Sequence, residues 1–235
     1  MIGVVVPAHD EEDHIAACLE ALQTAARYDR LLGEAVMVVV ALDACTDATA
    51  DIARAHGAVC AVVNDRNVGI ARARGAELAL AAGARWLAFT DADTVVSPGW
   101  IADQLAQQSD AVCGTVEVRD WSGWGARGAA LKRRLSARYT DADGHRHIHG
   151  ANLGVSATAY RGAGGFQAHA SSEDVALVDA LRAIGASIAW SAAPRVVTSA
   201  RPRFRAPGGF GATLGRMAAA TAMLGDHRGA EGEPA

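Results

Sequence analysis

The chain has 235 residues, 51% of them hydrophobic and 20% charged, with 25 glycines and 6 prolines. That is enough for one substantial core, and it excludes a disordered chain, a collagen or a coiled coil as the main architecture. Its 22 basic and 26 acidic residues leave a net charge of −4, a field that does not attract nucleic-acid backbones. Lys132 is the only lysine, so a phosphate bound by this chain is to be held by arginine, backbone amides or a metal. The cysteines Cys18, Cys45, Cys60 and Cys113 have no close pairing and lie in apolar stretches, which suits reduced thiols and a cytoplasmic protein. The N-terminus opens into a strand-like run without a basic leader, and the longest apolar run, 35–42, is far short of the ~20 residues that cross a bilayer. A soluble chain, at most peripheral to a membrane, is expected.

Short β-branched runs at 2–6, 35–42, 58–63, 86–90 and 111–118 alternate with helical patterns, as βαβ units of a mostly parallel sheet with helices on both faces require. The helix over 11–27 carries Ile15, Leu19, Leu22 and Ala26 on one face, with Asp10 as its expected N-cap and acids in its first turn. Helices over 47–56 and 68–82 stop at Gly57 and Gly83, where a left-handed C-cap favours glycine. Beyond this the rhythm breaks. A helix is expected over 122–139, an extended stretch over 145–155, a helix over 173–184 capped by Ser172, and extended stretches at 187–190 and 195–198. A last helix presents Phe210, Leu214, Met217, Thr221 and Leu224, and the polar tail 225–235 is expected to be disordered.

The carboxylates fall at strand ends: Asp10, Glu11 and Glu12 after the first run, Asp43 and Asp47 after the second, Asp91 and Asp93 after the fourth. In an open parallel sheet the ligand crevice lies at those ends. Each group alone reads equally as a helix cap or a turn. Crowded together without compensation they would repel, so a hard cation, Mg2+ or Mn2+, is the natural guest and the bridge to a phosphate ester. Arg72 and Arg74 stand near enough in sequence to add charge-assisted bonds to a diphosphate, or else line a solvated helix face.

Val4-Val5-Val6-Pro7-Ala8-His9-Asp10-Glu11-Glu12, Ala41-Leu42-Asp43-Ala44-Cys45-Thr46-Asp47, Asn67-Val68-Gly69-Ile70-Ala71-Arg72-Ala73-Arg74 and Phe89-Thr90-Asp91-Ala92-Asp93 follow one another in order. With His149-Gly150-Ala151-Asn152, Gly164-Gly165-Phe166 and Ser172-Glu173-Asp174, they resemble the motifs of family 2 glycosyltransferases of GT-A fold. The resemblance covers 2 to about 198. It implies a single α/β GT-A domain with a nucleotide-binding half (1–118) and an acceptor and catalytic half (119–198), which the chain's own pattern extends to 224 with a candidate lid and a last helix (199–224). It also implies a nucleoside-diphosphate sugar donor, UDP- or GDP-linked, a hydroxyl acceptor and a divalent metal. On the residues, it implies that Pro7, His9 and Glu11 line the nucleoside pocket, Asp43 accepts from the base and Arg74 faces the nucleotide. Asp91 would hold ribose or donor sugar, and Asp93 would ligate the metal. Asp174 would be the general base, Glu173 would orient donor sugar or acceptor, and His149, Gly150 and Asn152 would lie under the reacting sugar. Three positions depart from the family pattern: Asp10 for Asn, Ala44-Cys45 for Gly-Ser, and Gly75 for the Asn after Arg74.

A base of this kind suffices for an inverting displacement, and the start of a helix favours its charged form. Arg201, Arg203 and Arg205, between Pro and Gly hinges, read as a lid over the diphosphate or as a basic surface loop. His145, His147 and His149 alternate, so a strand would place them on one face, where they could hold a metal. Trp121 and Trp124 ahead of Lys132-Arg133-Arg134 read as a core pair, as acceptor-stacking rings or as a membrane-interface element. Two other readings stand beside the enzyme. One is a nucleotide-sugar-binding module without catalysis. The other is a haloacid-dehalogenase-type phosphatase with Asp91 as nucleophile and Asp93 as acid, which wants that motif after the first strand.

Overall fold

A computed structural model describes residues 1–202 and 210–226, with side chains at 210 and 220–226 outside the description. Residues 227–235 of the expected tail and the lid arginines Arg203 and Arg205 lie outside the described residues, while 225–226, expected in that tail, end the last helix. The chain divides into two compact units: Met1–Glu117 with Asp141–Thr198, and Val118–Thr140 with Ser199–Ala235.

The first unit holds an eight-stranded sheet. Its strands are β1 (Ile2–Ala8), β2 (Val36–Asp43), β3 (Val59–Val63), β4 (Trp86–Phe89), β5 (Thr94–Val96), β6 (Ala111–Glu117), β7 (Leu153–Ser156) and β8 (Ile188–Thr198). The order is β3-β2-β1-β4-β7-β6-β8-β5. The pairs β3-β2, β2-β1, β1-β4 and β6-β8 are parallel, and β7 runs antiparallel to both β4 and β6. The expected mostly parallel α/β sheet is therefore present, with β7 as an inserted antiparallel strand. Five consecutive residues of β1, 2–6, are buried, as a strand covered on both faces must be.

The helices of this unit are α1 (Ile15–Ala26), α2 (Thr49–Ala55), α3 (Val68–Ala81), α4 (Trp100–Leu105), α6 (Ala157–Gly162) and α7 (Glu173–Ala183), and those of the second are α5 (Gly128–Ser136) and α8 (Phe210–Asp226). Helix α3 lies hard against β1: a Cβ on Gly75 would stand 2.5 Å from Val5 Cγ1, and one on Gly3 2.5 Å from Ala79 Cβ. That contact accounts for Gly75, where the family pattern has a larger residue. It also fixes which face of α3 turns inward: Arg72, Gly75, Ala76 and Ala79 are buried together, at helical spacing.

Local expectations fail at two helix starts. Helix α1 begins four residues late, with no acid in its first turn and no side-chain cap, because Asp10 leaves the helical path at φ 51° and bonds elsewhere. Ser172 does precede α7, but at φ 61° and without a cap hydrogen bond. The expected helix over 122–139 is a 3-10 segment, Ser122–Arg127, broken at Gly125 with φ 53°, followed by α5. In the second unit Trp121, Trp124, Leu131, Leu214 and Ala218 form one apolar cluster, so the tryptophans take the core role. No helix of the described residues is long and apolar enough to cross a membrane.

Candidate active site

The loops after β1, β2 and β3 are tied by carboxylates that accept backbone N–H bonds. Asp10 accepts from Thr46 N at 2.6 Å, Asp47 from Glu12 N and Thr49 N at 3.0 Å each, and Glu12 from Ala48 N at 3.0 Å. Thr49 Oγ1 accepts from Glu11 N at 2.7 Å. The Thr46 amide holds the Asp10 carboxyl below the usual carboxylate range. Burial pushes Asp47 up, but its hydroxyl and amide bonds to Thr49 and Glu12 outweigh this and leave it lowered. These three acids are braces between the loops after β1 and β2, so their charge is compensated without a cation.

Asp43 is 4% exposed. Its Oδ1 accepts from Asp65 N (2.9 Å) and Arg66 N (2.8 Å), and its Oδ2 from Asn67 N (2.7 Å). It thus shapes the turn before α3, whose start Asn67 caps by accepting from Ile70 N. A carboxylate has about four acceptor sites, so Oδ2 keeps one for a ligand. His9 stands beside it, its Nδ1 2.6 Å from Asp43 O. Pro7, within β1, is half-buried and Glu11 is buried.

At the end of β4 the arrangement changes. The buried thiol of Cys18 is pushed up by burial and then by the charges of Asp91, Asp93 and Glu11. Arg72 reaches Asp91 from α3. It is 3% exposed, gives Nη2–H to Asp91 Oδ1 at 2.6 Å and pairs through Nη1 with Glu173 of α7. Burial would lower the Arg72 pKa, but Asp91, Glu173 and Asp174 together raise it. Phe166 lies under the guanidinium with its ring centre 5.6 Å away. Gly150 closes the other side: a Cβ there would fall 2.4 Å from Arg72 Nη2. The Gly150 amide donates to Asp174 Oδ2 at 2.8 Å, and Val175 N to Asp174 Oδ1 at 2.8 Å. One buried arginine thus joins the carboxylate at the β4 end to the acidic pair that begins α7.

Other expected positions sit differently. Arg74 is two residues along α3 from Arg72, on the opposite face, exposed and paired with Glu77 at 2.9 Å. Arg72, not Arg74, is the arginine bonded to Asp91 and Glu173. Inward spacing with Gly75 and Ala79 was the signal that separates the two arginines. Asn152 is fully buried, and its amide is consumed within the fold: Oδ1 accepts from Trp100 Nε1 (2.8 Å), and Nδ2 donates to Thr115 O (2.8 Å) and Pro194 O (2.9 Å). It braces β6, β8 and α4 below the site and leaves no group for a sugar. His145, His147 and His149 stack face to face, ring centres 5.5 and 6.0 Å apart, and not as converging ligands. Burial, then His147 and His145, push His149 down to about 4 against the opposing pull of Asp91. Arg201 is half-buried within the second unit. Among the described residues no group of three or more His, Cys, Asp or Glu is gathered to hold a metal ion.

A mostly parallel sheet with strand-end carboxylates and an inserted antiparallel β7, flanked by helices, is the GT-A architecture. The chain belongs to Glycosyl transferase family 2, which matches residues 3–161. No curated protein matches the sequence. Among solved structures it resembles S. aureus TarS 1–349 in complex with UDP-GlcNAc, with 18% identity over 93% of this chain and 65% of that one, TM-score 0.63. It also resembles glucosyl-3-phosphoglycerate synthase from Mycobacterium tuberculosis with Mn2+, UDP and glucosyl-3-phosphoglycerate, with 18% identity over 95% and 79%, TM-score 0.55. The chain spans less than two thirds of the length of the TarS structures it matches. Asp91 follows β4, not the first strand, and one of its oxygens is held by Arg72, so the phosphatase reading has no support.

Proposed function

We propose that this chain is an inverting glycosyltransferase that moves a sugar from a nucleoside-diphosphate sugar, UDP- or GDP-linked, to an acceptor hydroxyl. The observation that supports the reading is the Arg72 bridge between Asp91 and Glu173, the residue before Asp174. His9, Pro7, Glu11 and the remaining acceptor site of Asp43 take the nucleoside, and Asp91 takes ribose or donor sugar. Asp93 is the candidate metal ligand. The donor set at the end of β4 is all oxygen and small, which fits Mg2+ or Mn2+ held by one or two carboxylates with the rest of the sphere from diphosphate and water. Such an ion stabilises charge developing on the leaving diphosphate.

Asp174 is the general base. Each of its oxygens accepts one backbone N–H, from Gly150 and Val175, which fixes the carboxylate and leaves a lone pair on each for the acceptor proton. The acceptor oxygen then attacks the anomeric carbon as the nucleoside diphosphate leaves on the opposite side. A positioned base contributes roughly 10²- to 10⁴-fold in rate. Glu173, locked by Arg72, orients its neighbour and is no proton acceptor itself. His149, held largely neutral by its burial, and the Gly150 backbone lie at the side of Asp91 and Asp174, where they flank the reacting sugar.

The test is a pair of variants. Asp93→Ala is expected to abolish the metal-dependent thermal shift given by UDP or GDP, while Asp174→Asn keeps that shift and loses transfer by about 10²-fold or more. Full transfer by Asp174→Asn would overturn the base assignment, and a catalytically silent wild-type chain that still binds UDP with manganese would make it a binding module.

A further inference from the structure

The net charge of −4 conceals a division of the chain. The first unit carries 11 basic and 22 acidic side chains, a net −11, and the second carries 11 basic and 4 acidic, a net +7. Within the second, Val118–Thr140 holds Arg119, Arg127, Lys132, Arg133, Arg134 and Arg138 against the single acid Asp120. Helix α5 organises this segment. Leu131 is buried and Leu135 packs beside it against the cluster of Val118, Trp121, Trp124 and Leu214. Arg127, Lys132, Arg133 and Arg138 are exposed. They stand at both ends and at the middle of the helix, over roughly 16 Å at 1.5 Å per residue.

We infer that the basic surface of the second unit docks the protein on an anionic phospholipid bilayer. Charge complementarity selects the occupant. An apolar stripe turned into the unit's own core, with cations over the solvent side, suits a helix that lies along a charged surface and is drawn to it electrostatically. A single-stranded nucleic acid would require exposed rings on which bases stack. Here Trp121 and Trp124 are 9% and 7% exposed and give their Nε1–H to the carbonyls of Val118 and Ala200. The contact is a surface one, since no helix of the described residues can cross the membrane. Each arginine or lysine near an anionic leaflet raises partitioning roughly fivefold.

The experiment is co-sedimentation of the full chain, without nucleotide, with vesicles of phosphatidylcholine containing about 30 mol% phosphatidylglycerol, at low and high salt. Binding is expected to the anionic vesicles at low salt, not to pure phosphatidylcholine, and to fall with salt. Arg127→Gln/Lys132→Gln/Arg133→Gln lowers it by on the order of 10²-fold, while Arg54→Gln/Arg161→Gln, exposed positions of the first unit, leaves it unchanged. Lys132→Gln alone, expected to cost roughly fivefold, decides the matter where the triple variant does not fold. No binding to anionic vesicles, equal binding to neutral ones, an undiminished triple or single variant, or tighter binding to a single-stranded RNA at equal phosphate concentration would each overturn the inference. None of these measurements depends on sugar transfer.

Discussion

Replacing Arg72 by methionine isolates the bridge that joins the two halves of the site. Methionine fills similar space, so the change removes charge and hydrogen bonds more than volume. Glu173, 6% exposed, would be left as a buried carboxylate without its cation, and breaking such a pair costs about 3–5 kcal/mol. The Asp91 side chain is 35% exposed, so solvent screens that arm and it adds roughly 1 kcal/mol at most. At about 2–4 °C per kcal/mol for a chain of this size, the melting midpoint should fall by roughly 6–24 °C. Urea unfolding of both proteins at pH 8 measures this, and Arg72→Met/Glu173→Met should recover most of the loss. A variant within about 1 kcal/mol of wild type, or a double variant no more stable than Arg72→Met, would refute the account of Arg72 as the compensating charge.

Asn152→Leu strips three buried bonds and orphans Trp100 Nε1 and the carbonyls of Thr115 and Pro194. At about 1–3 kcal/mol per orphaned group, urea unfolding should show a loss of 3 kcal/mol or more, and Asn152→Asp should be little better because its second oxygen cannot donate. His149, pushed down to about 4 by its burial and the neighbouring histidines, makes acid unfavourable to the fold. Its folded pKa lies below the unfolded value near 6.5, so stability falls as pH drops from there toward 4, by at most about 1.4 kcal/mol per pH unit. Thermal midpoints between pH 7 and pH 4.5 should fall less steeply in His149→Phe than in wild type.

The alternation of β-branched runs with 3.6-periodic segments made the parallel part of the sheet readable, because both signals are local. Strands β5 and β7, of three and four residues, and helix α4, of six, were not, since so few residues carry too little periodicity. β7 also reads as a continuation of the extended stretch before it, until its pairing with β4 and β6 is formed. The helix starts misled for a related reason. An acid before an apolar run is the same pattern whether it caps its own helix or reaches 36 residues away to Thr46, and only the approach of the loops after β1 and β2 decides. Arg72 and Arg74, by contrast, were separable in advance: Gly75 and Ala79 mark the inward face of α3, and Arg72 alone shares it.

The strand-end acids separate by the same physical criterion. Asp10, Glu12, Asp47 and Asp43 each accept backbone amides, so their charge is spent on holding loops in place, and crowding there does not itself call for a cation. Asp91 is met by a buried guanidinium instead, and the same guanidinium meets Glu173. That arginine ties the loop after β4 to the first turn of α7, where Asp174, the proposed base, follows Glu173. Arg72→Met is therefore expected to lower transfer even in molecules that remain folded, since it frees both ends of that tie.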